Sequence, residues 1–259
     1  MLLTGCMAAH RTAPSPAVPL RVMTYNIRSG NGDLARTADA IRAERPDIVA
    51  LQEVDVHWAE RSAFADQATS LGERLHMNVR FARIYDLPGA PGAPNRQFGV
   101  ALLTRFPVVT FRNDTITRLS TQDSEPVPAP MPGLLEAEID VHGRAVRVFD
   151  THLDYRRDPR VRARQVAEMI AFADRDTLPT LVFGDMNATP AAPELQPLLA
   201  RFRDAWNDSA GPGFTYPAEA PTERIDYVLV SRHFAVRGAR VPDTQASDHR
   251  PVVVDLTMR

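Results

Sequence analysis

Cysteine occurs once in the 259 residues, at Cys6, which excludes an intrachain disulfide framework. Lysine is absent: the 30 basic residues are all arginine, a bias that genome composition explains as readily as selection for bidentate phosphate contacts. No apolar run approaches the ~20 residues that a membrane-spanning helix needs. An excess of one charge is missing too, since 30 basic against 32 acidic residues leave a formal net charge of -2 and a pI near 6.4. That balance argues against a nonspecific polyanion binder, which carries a clustered basic face. Nothing has the form of a nucleophile elbow, which argues against a metal-free serine hydrolase. What remains is ordinary globular content, 44% apolar and 24% charged, enough to bury a sizeable core.

The first residues stand apart. Leu3-Thr4-Gly5-Cys6 has the form of a bacterial lipobox, the small-residue site at which a lipid is attached to Cys. Only five residues precede Cys6, so most of a signal's apolar region is missing, which a start codon assigned too late would explain. Met7 to Pro19 is rich in Ala and Pro and has no periodicity, as a tether between an anchor and a folded domain would. The expected organisation is therefore a lipobox-like start and tether over 1–19 and one domain over 20–259. Membrane association would come from acyl chains on Cys6, at a bacterial cell envelope, and without export and the anchor the protein would be cytoplasmic.

Beyond Leu20, strand-like runs alternate with helical patterns. Asp33 can cap a helix carrying Leu34, Ala38 and Ile41 that stops before Pro46, and Asp66 can open another through Leu75. Leu87 to Asn95 and Ser120 to Gly133 read as irregular loops around strands at Phe98–Thr104, Val108–Phe111 and Leu134–Val141. Arg144 to Phe149 alternates as a strand, and Asp158-Pro159 reads as the N-cap and first residue of a helix with Val166, Met169, Ile170 and Ala173. Thr189-Pro190 repeats that start signal before Leu195, Leu198 and Leu199. Ile225–Val230, Phe234–Val241 and Val252–Leu256 close the chain as strands. No boundary cue divides this body, which suggests two sheets with helices outside them.

Polar residues follow the apolar runs at four places: Asn26, Glu53, Asp185 with Asn187, and Asp248 with His249. If each sits at the carboxyl end of a strand, loops from separate strands converge and one site results. Some of these residues, and His152, have a plainer reading as well. Glu53 can be a surface carboxylate, Asp185 and Asn187 can form an Asx turn capping the next helix, and His152 can be a hydrogen-bonded core group. Asp55, His57, Arg61 and Asp154 read better as solvated rim residues, and His10, His76, His142 and His233 as surface histidines.

Taken in order, Tyr25-Asn26-Ile27-Arg28, Leu51-Gln52-Glu53-Val54-Asp55, Thr151-His152-Leu153-Asp154, Gly184-Asp185-Met186-Asn187, Arg224-Ile225-Asp226-Tyr227 and Ser247-Asp248-His249-Arg250-Pro251 resemble the successive motifs of the endonuclease/exonuclease/phosphatase superfamily. The resemblance implies an α+β fold of the DNase I type, a four-layer αββα sandwich of two mostly antiparallel or mixed sheets flanked by helices. It also implies a divalent metal, magnesium or manganese, and hydrolysis of a phosphoester.

Phosphoester cleavage needs an attacking water, charge stabilisation on the nonbridging oxygens and help for the leaving oxygen. Glu53 is the expected direct metal ligand, with Asn26 and Asp248 completing an all-oxygen set suited to magnesium. His249 is expected at the phosphate as general acid, base or electrophile. The resemblance assigns Asp226 as the partner that fixes its tautomer, and His152 as a phosphate contact or proton donor. Asp185 would orient the water and Asn187 donate to a phosphate oxygen. The resemblance also leads one to expect a Tyr before Gly99 and an Arg before Gly133, where this chain has Phe98 and Pro132. Arg96 or Arg28 are the residues that can substitute.

Fold does not choose a substrate. A lipid-anchored, near-neutral protein suits a lipid headgroup or other small phosphodiester, or a phosphomonoester, better than genomic DNA. A nuclease on extracellular nucleic acid would instead need a basic, aromatic-lined groove beside His249. A third reading, a catalytically inactive binding module, would be signalled by loss of Glu53, Asp185 or His249, and all three are present. No protein partner is implied, and a monomer is expected.

Overall fold

The computed structural model describes residues 17–206 and 211–259. The lipobox, Cys6, His10 and most of the expected tether lie outside the described residues. The elements in chain order are β1 (Val18–Asn26), α1 (Leu34–Glu44), β2 (Ile48–Val56), α2 (Gln67–Leu75), β3 (Asn78–Leu87), β4 (Arg96–Thr104), β5 (Val108–Arg118) and β6 (Ala129–Val141). They continue with β7 (Arg144–His152), α3 (Arg160–Ala173), β8 (Thr180–Asp185), α4 (Gln196–Arg201), β9 (Arg203–Asp204), β10 (Asp226–Val230), β11 (Phe234–Arg240) and β12 (Val252–Met258). β1 begins two residues ahead of the expected domain boundary, pairing Val18 with Met258.

The strands form two six-stranded sheets, ordered β11-β12-β1-β2-β4-β3 and β5-β6-β7-β8-β10-β9. Alternation along each central strand sends one set of side chains between the sheets and the other outward. In β1, Val22 joins the inter-sheet core while Met23 and Tyr25 pack with Ala38 and Ile41 of α1 and Leu71 of α2. In β8, Leu181 and Phe183 face the other sheet while Val182 packs with Val166 and Met169 of α3 and Leu198 of α4. The result is helix, sheet, sheet, helix in four layers. It explains why the central runs read as continuously apolar: they are buried on both faces. Burying each such side chain contributes roughly 1.5–3 kcal/mol.

Two of the expected helix caps form, Asp33 accepting from the Ala35 and Arg36 N–H groups and Asp66 from Thr69. Asp158 accepts from the Arg160 N–H, but the helix starts at Arg160, one residue later than the Asp-Pro signal suggests. Thr189-Pro190 opens a turn, closed by the Ala192 N–H on the Thr189 carbonyl, instead of a helix. β3 has no counterpart among the expected strands, because Asn78 to Leu87 mixes exposed and buried positions without clean alternation. β6 starts at Ala129, inside the expected loop. Its Pro130 and Pro132 are tolerated because β6 pairs only with β5 there, β7 joining from Leu135 onward.

Two pairs run parallel, β1 with β2 and β7 with β8, and all others are antiparallel. The carboxyl ends of those four strands therefore meet at one edge, carrying Asn26, the Glu53 segment, His152 and Asp185. Asp226 is the first residue of β10 and pairs with Asp185 across an antiparallel ladder. Asp248 and His249 precede β12, which runs antiparallel to β1, so they arrive at the same edge from a strand's amino side. The expectation that all four segments follow a strand is thus corrected for this one. Antiparallel pairing reaches the same place from the opposite direction.

Candidate active site

Glu53 does not end β2 but sits in an irregularity of its pairing with β4, between Leu51 and Val54, with a left-handed φ of 56°. A bulge of this kind re-aims a side chain, here onto the converging strand ends, at a backbone cost of order 1–3 kcal/mol. Asn187 beyond β8 has φ 47° and is turned in the same way.

Asn26 is fully buried, and its amide nitrogen donates to Glu53 Oε1 and to Asp185 Oδ2, each at 3.0 Å. Its carbonyl oxygen accepts from the Arg28 N–H at 3.0 Å. The sequence puts Asn26 among oxygen ligands, yet the face it turns to the cluster is its donor. It holds two carboxylates in register. Asp185 Oδ1 accepts from the Asn187 N–H at 2.9 Å, so the Asx turn forms as well as the site.

Two histidines flank Asp185 Oδ2, with His152 Nε2 at 3.5 Å and His249 Nε2 at 3.7 Å. Asn187 Nδ2 lies 2.8 Å from His152 Nε2 and also donates to the Leu153 carbonyl at 3.0 Å, which fixes the amide's orientation and makes His152 Nε2 the acceptor. Asn187 thus engages His152 in place of open cleft. His249 is buried, packs with its ring tilted at 44° and centred 4.8 Å from that of Tyr216, and bonds Asp226 Oδ2 through Nδ1 at 2.9 Å. The same Asp226 oxygen accepts from the Thr215 hydroxyl.

Burial alone would pull the His249 imidazole down, but the carboxylates of Asp226, Asp185 and Asp248 outweigh it and hold it up to about 10. Burial raises the Asp226 carboxyl, while the neighbouring imidazolium opposes that rise. The imidazolium form is the one the surrounding negative charge favours.

Asp185, Asp226 and His249 bring three possible ligand atoms within 4.8 Å of one another. All three residues are buried, and His249 and Asp226 are already joined to each other through Nδ1 and Oδ2. Glu53 is different: half-buried, it takes one hydrogen bond, from a neutral amide, and makes no ion pair among the described residues. Asp248 is also half-buried, with the Arg28 guanidinium 3.4 Å away. Two partly exposed carboxylates, with hard-oxygen donors, fit a divalent cation better than the buried His–Asp pair does.

A profile of the Endonuclease/Exonuclease/phosphatase family matches residues 23–249. The chain belongs to this family. An endonuclease/exonuclease/phosphatase from Beutenbergia cavernae DSM 12333 is 27% identical with a TM-score of 0.70, over 93% of this chain and 72% of that one. One from Bacteroides vulgatus is 19% identical with a TM-score of 0.73, over 93% and 100%. The human Nocturnin catalytic domain is 22% identical with a TM-score of 0.66, over 94% and 97%. No curated protein matches the chain by sequence. The two flanked mixed sheets are the DNase I-like α+β sandwich, and membership places the chain among the phosphoesterases of the endonuclease/exonuclease/phosphatase superfamily.

The family's expected Tyr and Arg are replaced in an informative way. Phe98 packs with Trp58 at 5.7 Å and Tyr85 at 6.2 Å, with the Arg61 guanidinium over its ring and Arg96 over Trp58. Beside Pro132, a guanidinium is present after all, reaching from the neighbouring strand. Buried Arg118 donates to the carbonyls of Pro132, Gly133 and His152 and to the Thr151 hydroxyl. Burial without a carboxylate contact pulls Arg118 down to about 10.

Asp55 and Asp154 are buried, not solvated as the sequence suggests. Asp55 forms a two-point pair with Arg61 and accepts from Ser29, and Asp154 pairs with Arg156. A buried carboxylate needs such a partner. His57 stays at the rim, its Nδ1 2.8 Å from the Phe64 carbonyl, and Arg61 is half-exposed on its side chain. His76 and His142 are exposed, as expected, and His233 is half-buried. Sequence reading misses Thr215, Tyr216, Arg118 and Ser247, whose hydroxyl ties the loop before β12 to the Asn26 carbonyl at 2.8 Å. Ser247 opens the last of the quoted motifs without a role of its own, and nothing in the sequence marks the other three in advance.

Proposed function

We propose that this chain is a divalent-metal-dependent hydrolase of a small phosphodiester or phosphomonoester, a lipid headgroup at the cell envelope being the favoured class. The observation that carries the reading is buried His249, bonded to Asp226 through Nδ1 and presenting Nε2 toward Asp185 at the edge where Glu53 also lies.

At neutral pH the imidazolium of His249 stabilises charge on a phosphoryl oxygen and gives a proton to it or to the leaving oxygen. Asp226, backed by Thr215, keeps the ring oriented and holds its charge. Asp185 lies between the two histidines and orients the attacking water, with Asn26 fixing its carboxylate. Asn187 sets the His152 ring so that its Nδ1 carries the hydrogen, a donor for substrate oxygen. Glu53 and Asp248 would hold magnesium or manganese, which when bound supplies charge neutralisation at the phosphate. Asn26 supports that set from its donor side.

Envelope placement draws on the lipobox form around Cys6 and on the near-neutral charge, which gives no field for bulk polyanions. No helix among the described residues is long and apolar enough to cross a membrane. Mass spectrometry of protein expressed from an upstream start separates a diacylated Cys6 from an unmodified one.

The activity is tested by incubating bis(p-nitrophenyl) phosphate, sphingomyelin, phosphatidylinositol, inositol phosphate and plasmid DNA with magnesium or manganese, against EDTA. Turnover that EDTA abolishes is expected, together with a higher metal requirement in Glu53→Gln. Preference for the plasmid would move the assignment to a nuclease. Folded protein that turns over nothing would overturn the reading.

A further inference from the structure

Beside Glu53 and His152 lies a pocket of about 210 Å³, walled by Ile84, Tyr85, Phe98 and Leu119 and floored by Arg118 and Gln165. Its floor holds donors without acceptors. Gln165 is fully buried; its carbonyl oxygen accepts from the Asp154 N–H at 3.0 Å, while its amide nitrogen has no partner. The four hydrogen bonds of Arg118 leave one of five guanidinium N–H groups, on Nη1, without an acceptor among the described residues. Buried donors left unpaired cost about 1–3 kcal/mol each and point to a ligand or water that completes them.

We infer that this pocket receives the substrate's leaving group as a single hydroxylated ring, a sugar or a cyclitol. The inference rests on the phosphoesterase reading of the adjoining site. Apolar and aromatic walls with a few fixed donors are what a ring with apolar faces and hydroxyl edges requires. An anionic group is the poorer fit, because Glu53 and Asp154 line the same pocket and offset Arg118 and Arg156. The volume lies below the roughly 300–1,000 Å³ of sites for drug-sized ligands, so it admits one ring and excludes a duplex or an acyl chain. In the reaction, the water oxygen bonds to phosphorus and loses a proton to solvent, while the P–O bond to the ring's alcohol breaks and that leaving oxygen takes a proton from His249. The alcohol leaves the pocket, and phosphate, or phosphatidate from a lipid diester, leaves the site.

The probes are myo-inositol 1-phosphate, glucose 6-phosphate, ringless glycerol 3-phosphate, and phosphatidylcholine vesicles containing phosphatidylinositol. For the full chain with magnesium, kcat/KM is expected to be at least about tenfold higher for a ring ester than for glycerol 3-phosphate. Leu119→Tyr, which fills the pocket, is expected to bring that ratio close to one. Turnover of the vesicles or of the free esters assigns the ring to a lipid headgroup or to a soluble metabolite. Equal turnover of ring and ringless esters, or a ratio unchanged by Leu119→Tyr, overturns the subsite and leaves the phosphoesterase reading standing. If no ester is turned over, that reading has failed, and Trp58 decides the subsite, since its ring packs against Tyr85 and Phe98. Saturable quenching of its fluorescence by myo-inositol 1-phosphate, lost in Leu119→Tyr, upholds the pocket; its absence from wild-type protein overturns it.

Discussion

His249 is the residue on which the chemistry turns, because two opposed effects meet in one ring. It is 5% exposed, and burial by itself favours the neutral imidazole. Three carboxylates reverse that preference and hold it up to about 10, so the group is an acid throughout the physiological range. Its charge contributes stability that is fully present below the ordinary value of 6.5 and is lost as pH rises through about 10. Replacing it by His249→Gln should lower kcat by about 10²–10⁴, with magnesium still bound in a titration. Asp226→Asn keeps an acceptor but removes the charge, so the alkaline limb of the kcat profile should move to lower pH. An unshifted profile with an undiminished rate would mean that Asp226 does not govern the imidazole.

At the scale of elements, β7 and β8 must lie close for His152 and Asp185 to meet, and Gly184 permits that. A Cβ there would stand 2.3 Å from the Thr151 carbonyl oxygen, a contact with backbone that cannot swing away. Gly184→Ala is expected to cost about 1–3 kcal/mol by urea denaturation and to lower kcat, since relief of the clash moves Asp185. A variant with wild-type stability and rate would show that the strands have slack. Much of this architecture is legible in the chain: the doubly buried strands, the caps at Asp33 and Asp66, and the polar residues at the ends of β1, β7 and β8. What escapes sequence reading depends on pairing partners. The bulge that turns Glu53 inward exists only against β4, the start of β10 and the approach to β12 reach the site through antiparallel ladders, and Arg118 meets Pro132 across β5 and β6. Such facts belong to register, which no local pattern records.

For the molecule as a whole, the two sheets are joined behind the site by a polar bridge inside an otherwise apolar core. Gln52 of β2 donates to Thr24 of β1 at 3.1 Å and to Asp150 of β7 at 2.7 Å, and all three are fully buried. The second Asp150 oxygen has no partner, and burial holds the carboxyl well above its ordinary value of 3.8, against the Gln52 and Thr151 hydrogen bonds. The folded protein then keeps a proton that the unfolded chain releases, so unfolding sheds a proton and rising pH favours it. The stability tied to Asp150 is full below the unfolded value and declines as pH climbs toward the folded one. Asp150→Asn retains the oxygen that accepts from Gln52 and removes the titration. The difference in unfolding free energy, wild type minus Asp150→Asn, is therefore expected to fall as pH rises above the ordinary value of 3.8. Comparing the two proteins cancels the groups they share. A difference that stays constant over that range would show that Asp150 is ionised in the folded core, and that the bridge between the sheets carries a charge.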